Sequence, residues 1–172
     1  MQARQVAWIG LGSNLDQPAC HVRAALDALT VLPGCRLLAA SALYRTTPVG
    51  GPPGQPDYCN ACAALACTAC TPLALLDRLQ AIEHAHGRVR DVRWGPRTLD
   101  LDMLAMDAIT MRHPRLQLPH PRAAVRAFVL VPLAQIAPAL RLHGRRVTDL
   151  LASVDCSGVQ LWPGTVDAES AS

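Results

Sequence analysis

In the run RVRDVRWGPRTLDLDML, Arg88 to Leu104, four arginines and a tryptophan within ten residues give way to an apolar segment carrying two aspartates. Read as a strand, the segment puts Asp100 and Asp102 on one face and Leu99, Leu101 and Met103 on the other. A rise of about 3.3 Å per residue separates the two carboxylates by roughly 6.6 Å, a spacing that suits gripping one or two hard cations. An edge strand with an ordinary polar face would show the same local pattern. The neighbouring arginines weigh against that reading. Carboxylates that hold Mg²⁺ beside guanidinium groups that hold phosphate are the parts of phosphoryl transfer. Trp94, Gly95 and Pro96 read as a loop that docks by its tryptophan.

Working outward, QVAWIGLG (5–12) reads as a buried strand, and Pro18 opens a helix with Val22, Ala25, Leu26 and Leu29 on one face, stopped by Pro33-Gly34. CRLLAASALYRT (35–46) reads as one strand. Residues 47–57, with four prolines and three glycines, form a loop, and YCNACAALACT (58–68) forms another strand. Thr71 caps a helix that starts at Pro72 and runs to Gly87, with Leu75, Leu76, Leu79 and Ile82 as its apolar stripe. The strand TLDLDMLAM (98–106) follows, and AITM (108–111) is a further short strand. PHPRAAVRAFVLVPLAQIA (119–137) reads as two helical segments broken at Pro132, and RRVTDLLASV (145–154) as a last helix. The order predicts an α+β sandwich, with helices over one face of a mostly antiparallel sheet. One domain is expected over 1–162, followed by a polar, frayed tail at 163–172.

The chain contains no lysine, and nine of its sixteen arginines fall between Arg78 and Arg126. Lacking lysine, it has no Walker-type P-loop and no Schiff-base chemistry. GLGSN (10–14) fails the dinucleotide fingerprint, because Leu15 stands where a third glycine belongs. No apolar run reaches the length of a membrane span, and the N-terminus lacks a signal-peptide cleavage pattern, so a cytoplasmic protein is expected. Cys59, Cys62, Cys67 and Cys70 have paired C-x-x-C spacing. On a strand, however, Cys59 and Cys67 face one side and Cys62 and Cys70 the other, which closes no tetrahedron, so buried structural thiols are expected instead of zinc.

The long Arg–Asp block, together with IGLGSNL, YRTTPVG…QPDYCNA and LPHPRAAVRAFVLVPLAQIAP in that order, resembles the 6-hydroxymethyl-7,8-dihydropterin pyrophosphokinase family of folate biosynthesis. The resemblance covers about residues 6 to 140. It implies a ferredoxin-like α+β fold, transfer of the terminal pyrophosphate of ATP to the pterin hydroxymethyl group with release of AMP, and two Mg²⁺ ions. By resemblance, Asp100 and Asp102 bind the metal, and Arg88, Arg97, His120 and Arg126 contact the triphosphate. Tyr58 and Phe128 sandwich the pterin and Asn60 hydrogen-bonds its ring, while Thr46, Thr47 and Val49 offer it backbone groups. Gln80 and Glu83 line the site, Met103, Arg115, Leu116 and Gln117 flank the adenine, and Trp94 rides on a closing loop.

Two departures stand out. Pro121 follows His120 where some members have a phosphate-contacting Tyr, and Arg122 is a candidate substitute. Thr47 replaces a Pro found in some members, which should loosen that loop. The resemblance also implies a monomer that binds two small molecules and neither nucleic acid nor membrane. Two other readings compete: an arginine-rich nucleic-acid-binding domain and a different Mg-dependent nucleotidyl transferase. The first would want aromatics interleaved with the basic residues, and only Trp94 lies among them. The second is opposed by the paired Tyr58 and Phe128. The state of His120 is open at this level, and His84 and His86 read as solvated, while His113 and His143 carry no assignment.

Overall fold

The computed structural model describes residues 3–15, 17–87 and 99–164. The central layer is a sheet of β1 (Gln5–Ser13), β2 (Cys35–Ala40), β3 (Tyr44–Thr46), β4 (Tyr58–Cys67), β5 (Asp100–Met106) and β10 (Val159–Leu161). Its order is β10-β3-β4-β1-β5, with β2 also on β4, and every pairing is antiparallel. Helix α1 (Pro18–Thr30) joins β1 to β2, and α2 (Pro72–Ala85) joins β4 to β5. If β2 and β3 are taken as one bent strand, the order βαββαβ and the lateral arrangement are those of a ferredoxin-like sandwich.

The sheet is covered on both sides, not on one as the sequence pattern suggested. Ala7, Ile9, Leu11, Ala61, Ala63, Leu65, Leu101 and Met103 pack beneath α1 and α2. Cys62, Leu104 and Ala105 meet α3 (Ala127–Ile136) and α4 (Val147–Ala152) on the other side. One residue of β5 makes this possible. Ile9 pairs with Met103 and Trp8 with Ala105, so Leu104 is the extra residue of a β-bulge. Before the bulge the aspartates face away from α1 and α2. After it Leu104 and Ala105 both reach the second core, while Met106 returns to the first.

Helix α1 buries Ala19, Val22, Ala25 and Leu29, and α2 buries Leu75, Leu76, Leu79 and Glu83. The Thr71 side chain accepts the Ala74 N–H at 3.2 Å and caps α2 as its sequence requires. Other expectations are corrected. The 35–46 stretch is two strands, because the Ser41 hydroxyl takes the Cys62 N–H at 2.9 Å and interrupts the ladder there. The 108–111 strand begins only at Met111: β6 (Met111–His113) pairs with β7 (Leu116–Leu118) as a hairpin. The break in 119–137 falls before Ala127, after a 3₁₀ turn at Ala123–Val125, and α3 continues through Pro132. Burial of Val129, Leu130 and Leu133 around that proline outweighs its lost hydrogen bond.

Arg145 and Arg146 are not helical. They form β9 (Arg145–Arg146) against β8 (Arg141–Leu142). Cys70 lies beyond β4 and joins Cys59 and Cys67 in the first core, leaving Cys62 alone on the other face. Burial pushes the Cys59 and Cys67 thiols up to about 12 and raises Cys62 and Cys70 as well. His86 is not simply solvated: its Nδ1 lies 2.8 Å from His21 Nδ1, tying the end of α2 to the start of α1. His84 is exposed. The tail beyond 164 lies outside the described residues. Among them, no helix is long and apolar enough to cross a membrane.

Candidate active site

The bulge and the strand register create the site. Gly12 pairs with Asp100 on one side and Asn60 on the other, and Gly10 pairs with Asp102 and Cys62. Residues opposite one another across a sheet point to the same face. Two glycines therefore form a bare floor between the carboxylates and Asn60. A Cβ on Gly12 would stand 2.8 Å from Asn60 Oδ1, whereas one on Gly10 would meet only the Leu104 side chain at 3.4 Å. The sequence signal for this floor is glycine at i and i+2 inside a strand, which marks close approach of another group. GLG matched no cofactor fingerprint, and that reading missed it.

Above the floor opens a cavity of about 480 Å³, lined by Thr46, Thr47, Val49, Tyr58, Asn60, Asp100, Asp102, His120, Arg126 and Phe128 among others. The Asn60 Nδ2 donates to Thr46 Oγ1, and both side chains are buried. Thr47 is less free than the replaced proline suggested. Its N–H and its hydroxyl both donate to the Gly158 carbonyl, at 3.2 and 3.3 Å, just before β10. Asn14 is buried and donates to the Pro56 carbonyl at 3.2 Å, which pins the far end of the same loop. Neither Gly158 nor Asn14 was picked out from the sequence, because each acts through a loop remote in the chain.

A second cavity, of about 510 Å³, lies between α2, β5 and the β6–β7 hairpin, lined by Gln80, Glu83, Met103, His113, Arg115, Leu116 and Gln117 among others. Arg115 bonds the Asp77 carboxylate and Gln80 Oε1, and its N–H donates to His113 Nδ1 at 3.1 Å. Glu83 is 4 % exposed, and its Oε1 accepts the Leu101 N–H at 3.3 Å, so it holds the strand between the two aspartates. The two cavities share Asp100, Asp102, His120 and Pro121.

At that boundary the charges are set by burial. His120 is lowered to about 4 by burial and then by nearby Arg126, with Asp100 opposing. Its Nδ1 accepts the Arg122 N–H at 3.1 Å. The ring is therefore neutral at pH 7 and carries its proton on Nε2, which leaves a donor. His143 Nε2 lies 3.1 Å from the His120 carbonyl. Burial lowers Arg126 too, while Asp102 and Asp100 support its charge, and its guanidinium stacks 5.5 Å from the Phe128 ring centre.

Residues 8–138 match the 7,8-dihydro-6-hydroxymethylpterin-pyrophosphokinase family. The chain belongs to this family. It is 51 % identical over 161 residues to the 2-amino-4-hydroxy-6-hydroxymethyldihydropteridine pyrophosphokinase of Pseudomonas aeruginosa, covering 93 % of this chain and 98 % of that one. It is 46 % identical over 154 residues to the protein of that name from Methylorubrum extorquens, covering 90 % and 96 %. A Plasmodium falciparum HPPK-DHPS structure superposes with a TM-score of 0.67 at 12 % identity, a likeness of fold. The match covers 89 % of this chain but 44 % of that one. As a pyrophosphokinase of this family, the chain is an enzyme of folate biosynthesis that transfers pyrophosphate from ATP to hydroxymethyl-dihydropterin. Of the residues expected at the site, the two cavities gather Thr46, Thr47, Val49, Tyr58, Asn60, Gln80, Glu83, Asp100, Asp102, Met103, Arg115, Leu116, Gln117, His120, Arg126 and Phe128. Arg88, Trp94 and Arg97 lie outside the described residues.

Proposed function

We propose that the first cavity takes the dihydropterin, the second takes the adenosine of ATP, and the polyphosphate crosses between them over Asp100 and Asp102. The observation that carries this reading is the shared wall: both cavities end on the same two carboxylates and His120. Tyr58 and Phe128 supply aromatic faces for the pterin ring. Asn60, fixed by Thr46, supplies hydrogen bonds, and the Thr46–Val49 backbone supplies the rest. Met103, Arg115, Leu116 and Gln117 flank the adenosine, with Gln80 and Glu83 bracing that wall.

Asp100 and Asp102 fit magnesium. They are hard oxygen donors on one face, and among the described residues no group of three or more His, Cys, Asp or Glu gathers as a protein-only cage. That set suits two ions that take their remaining ligands from phosphates and water. When bound, such ions neutralise phosphate charge and acidify the attacking hydroxyl. The chain itself orients the hydroxymethyl group toward the β-phosphorus by holding the pterin between fixed walls. Arg126 and the neutral His120, through its Nε2–H, donate to phosphate oxygens, and Arg122, which lines the first cavity, substitutes for the missing Tyr as a donor. Arg88 and Arg97 complete the cationic set by the family resemblance, as Trp94 does the site's lining. No strong general base is required.

The chain acts as a monomer and as one unit over residues 1–162, with a polar tail at 163–172. The chain works in the cytoplasm, where thiols are kept reduced. The test is AMP release from ATP with and without 6-hydroxymethyl-7,8-dihydropterin, together with paired binding measurements. Tyr58→Ala should weaken pterin binding at least tenfold and leave an ATP analogue within twofold, with Arg115→Ala showing the reverse bias. Mutual displacement of pterin and ATP analogue would overturn the two-cavity arrangement.

A further inference from the structure

Five residues along β4 from Cys62, the last residue of that strand to line the first cavity, and roughly 16 Å of strand away, three thiols meet outside both cavities. Cys35 opens β2 and stands directly opposite Cys67, the last residue of β4. The next rung is the Thr68 N–H bond to the Gly34 carbonyl, at 2.9 Å. Hydrogen-bonded and non-hydrogen-bonded pairs alternate along an antiparallel ladder, so Cys35 and Cys67 form a non-hydrogen-bonded pair. Such pairs have Cα atoms about 4.5 Å apart and the closer side chains. That separation lies within the range a disulfide spans. The two sulfurs are already 3.3 Å apart. Cys35 is partly exposed and Cys67 is buried. Cys70 is a third thiol beside them, and the Arg78 guanidinium donates to its sulfur at 3.4 Å while also bonding the Pro33 carbonyl.

We propose that Cys35 and Cys67 are a redox modification site that closes to a cross-strand disulfide under peroxide. The partly exposed Cys35 sulfur attacks hydrogen peroxide, the O–O bond breaks, and Cys35 becomes a sulfenic acid with release of one water. The Cys67 sulfur then attacks Cys35 Sγ, the S–O bond breaks, and a second water leaves as the S–S bond forms. Two thiols are oxidised by two electrons and one peroxide is reduced to two waters. The Arg78 cation opposes part of the burial that holds the Cys67 and Cys70 thiols up. The closed loop runs from 35 to 67 and contains the whole pterin-side segment from Thr46 to Tyr58. Oxidation therefore staples the sheet around that segment without changing a residue of either cavity. A small disulfide would reach the same product by exchange, with two thiols released.

The experiment treats the reduced full-length chain with a small excess of hydrogen peroxide, blocks remaining thiols under denaturing conditions, digests without reduction and maps the peptides. The expected result is a Cys35–Cys67 linked peptide that dithiothreitol removes, with the melting temperature raised by roughly 5–10 °C in the oxidised form. Cys35→Ser should abolish both changes and leave basal activity as it was. Cys156→Ser should abolish neither. A Cys35–Cys70 link, a link between chains, Cys35 ending as sulfinic acid, or all thiols unchanged would each overturn the proposal. The map of the natural chain decides this alone, whether or not the variants fold.

Discussion

The two cavities that meet at Asp100 and Asp102 are made in opposite ways. The first is cut into the sheet. Its floor is backbone at Gly10 and Gly12, its wall is the buried Asn60–Thr46 pair, and its loop is bonded to Asn14 at one end and Gly158 at the other. The second leans on long side chains at the surface, where the Arg115–Asp77 pair is 45 % and 61 % exposed. A site carved from backbone and buried hydrogen bonds is rigid before its ligand arrives, whereas one edged by exposed side chains orders them on binding. Selectivity between close analogues should therefore reside on the pterin side. Tolerance to substitution should reside on the nucleotide side.

The largest effect should come where both cavities depend on the same atoms. Asp102→Ala should lower kcat by about 1,000-fold or more, since several kcal/mol of charge stabilisation are lost and each 1.36 kcal/mol is tenfold. Circular dichroism should be unchanged. A variant within tenfold of the natural rate at saturating Mg²⁺ would remove the metal assignment. Next comes a contrast within the floor. Gly12→Ala drives a Cβ into Asn60 Oδ1 and should raise the pterin KM at least tenfold, with the KM for ATP little changed. Gly10→Ala meets only a movable Leu104 methyl and should stay within threefold. Equal effects at the two glycines would mean the floor is not the pterin's contact.

The boundary histidine gives a pH signature. Its folded pKa of about 4 lies below the ordinary 6.5, so the unfolded chain takes up the proton first as pH falls. The contribution is complete above 6.5, is lost progressively between 6.5 and 4, and is constant below that. At pH 5 the loss should be at most about 2 kcal/mol, because part of the ring still faces solvent. Urea unfolding at pH 7 and pH 5 should show this slope in the natural chain and a flatter one in His120→Gln. Gly158→Ala, whose Cβ would stand 2.6 Å from Thr47 Oγ1, should raise the pterin KM a few-fold at constant kcat. A matching fall in kcat would show that the loop moves in the chemical step. Asp77→Ala should be the mildest, under about 0.5 kcal/mol in stability, with less than threefold change in nucleotide KM.

What the sequence made legible was whatever depends on local period and local capping. The strands over 5–12, 58–67 and 100–106, the Thr71 cap and the shared face of Asp100 and Asp102 all follow from spacing. Features that depend on partners distant in the chain were not legible. Pro132 reads as a breaker until the core around α3 is seen, and Ser41 reads as an ordinary strand residue until its hydroxyl is seen in the ladder of β4. The strand β10 holds the pterin-side loop, yet its three residues carry no periodic signal. His86 reads as a surface residue because its partner, His21, lies on another helix.

The single residue Leu104 acts on β5 like an inserted letter on a reading frame. Upstream of it the strand spells polar toward the cavities, and downstream it spells apolar toward both cores, because the alternation is broken once, at the bulge. Forcing that one letter into the regular frame would leave the strand a choice between two misreadings. Either the aspartates turn beneath α2, or Met106 turns away from its core and Ala105 into it. A one-residue deletion between Asp100 and Met103 should thus do more harm than deletion of Leu104 itself, because it alters the meaning of every position on one side of it.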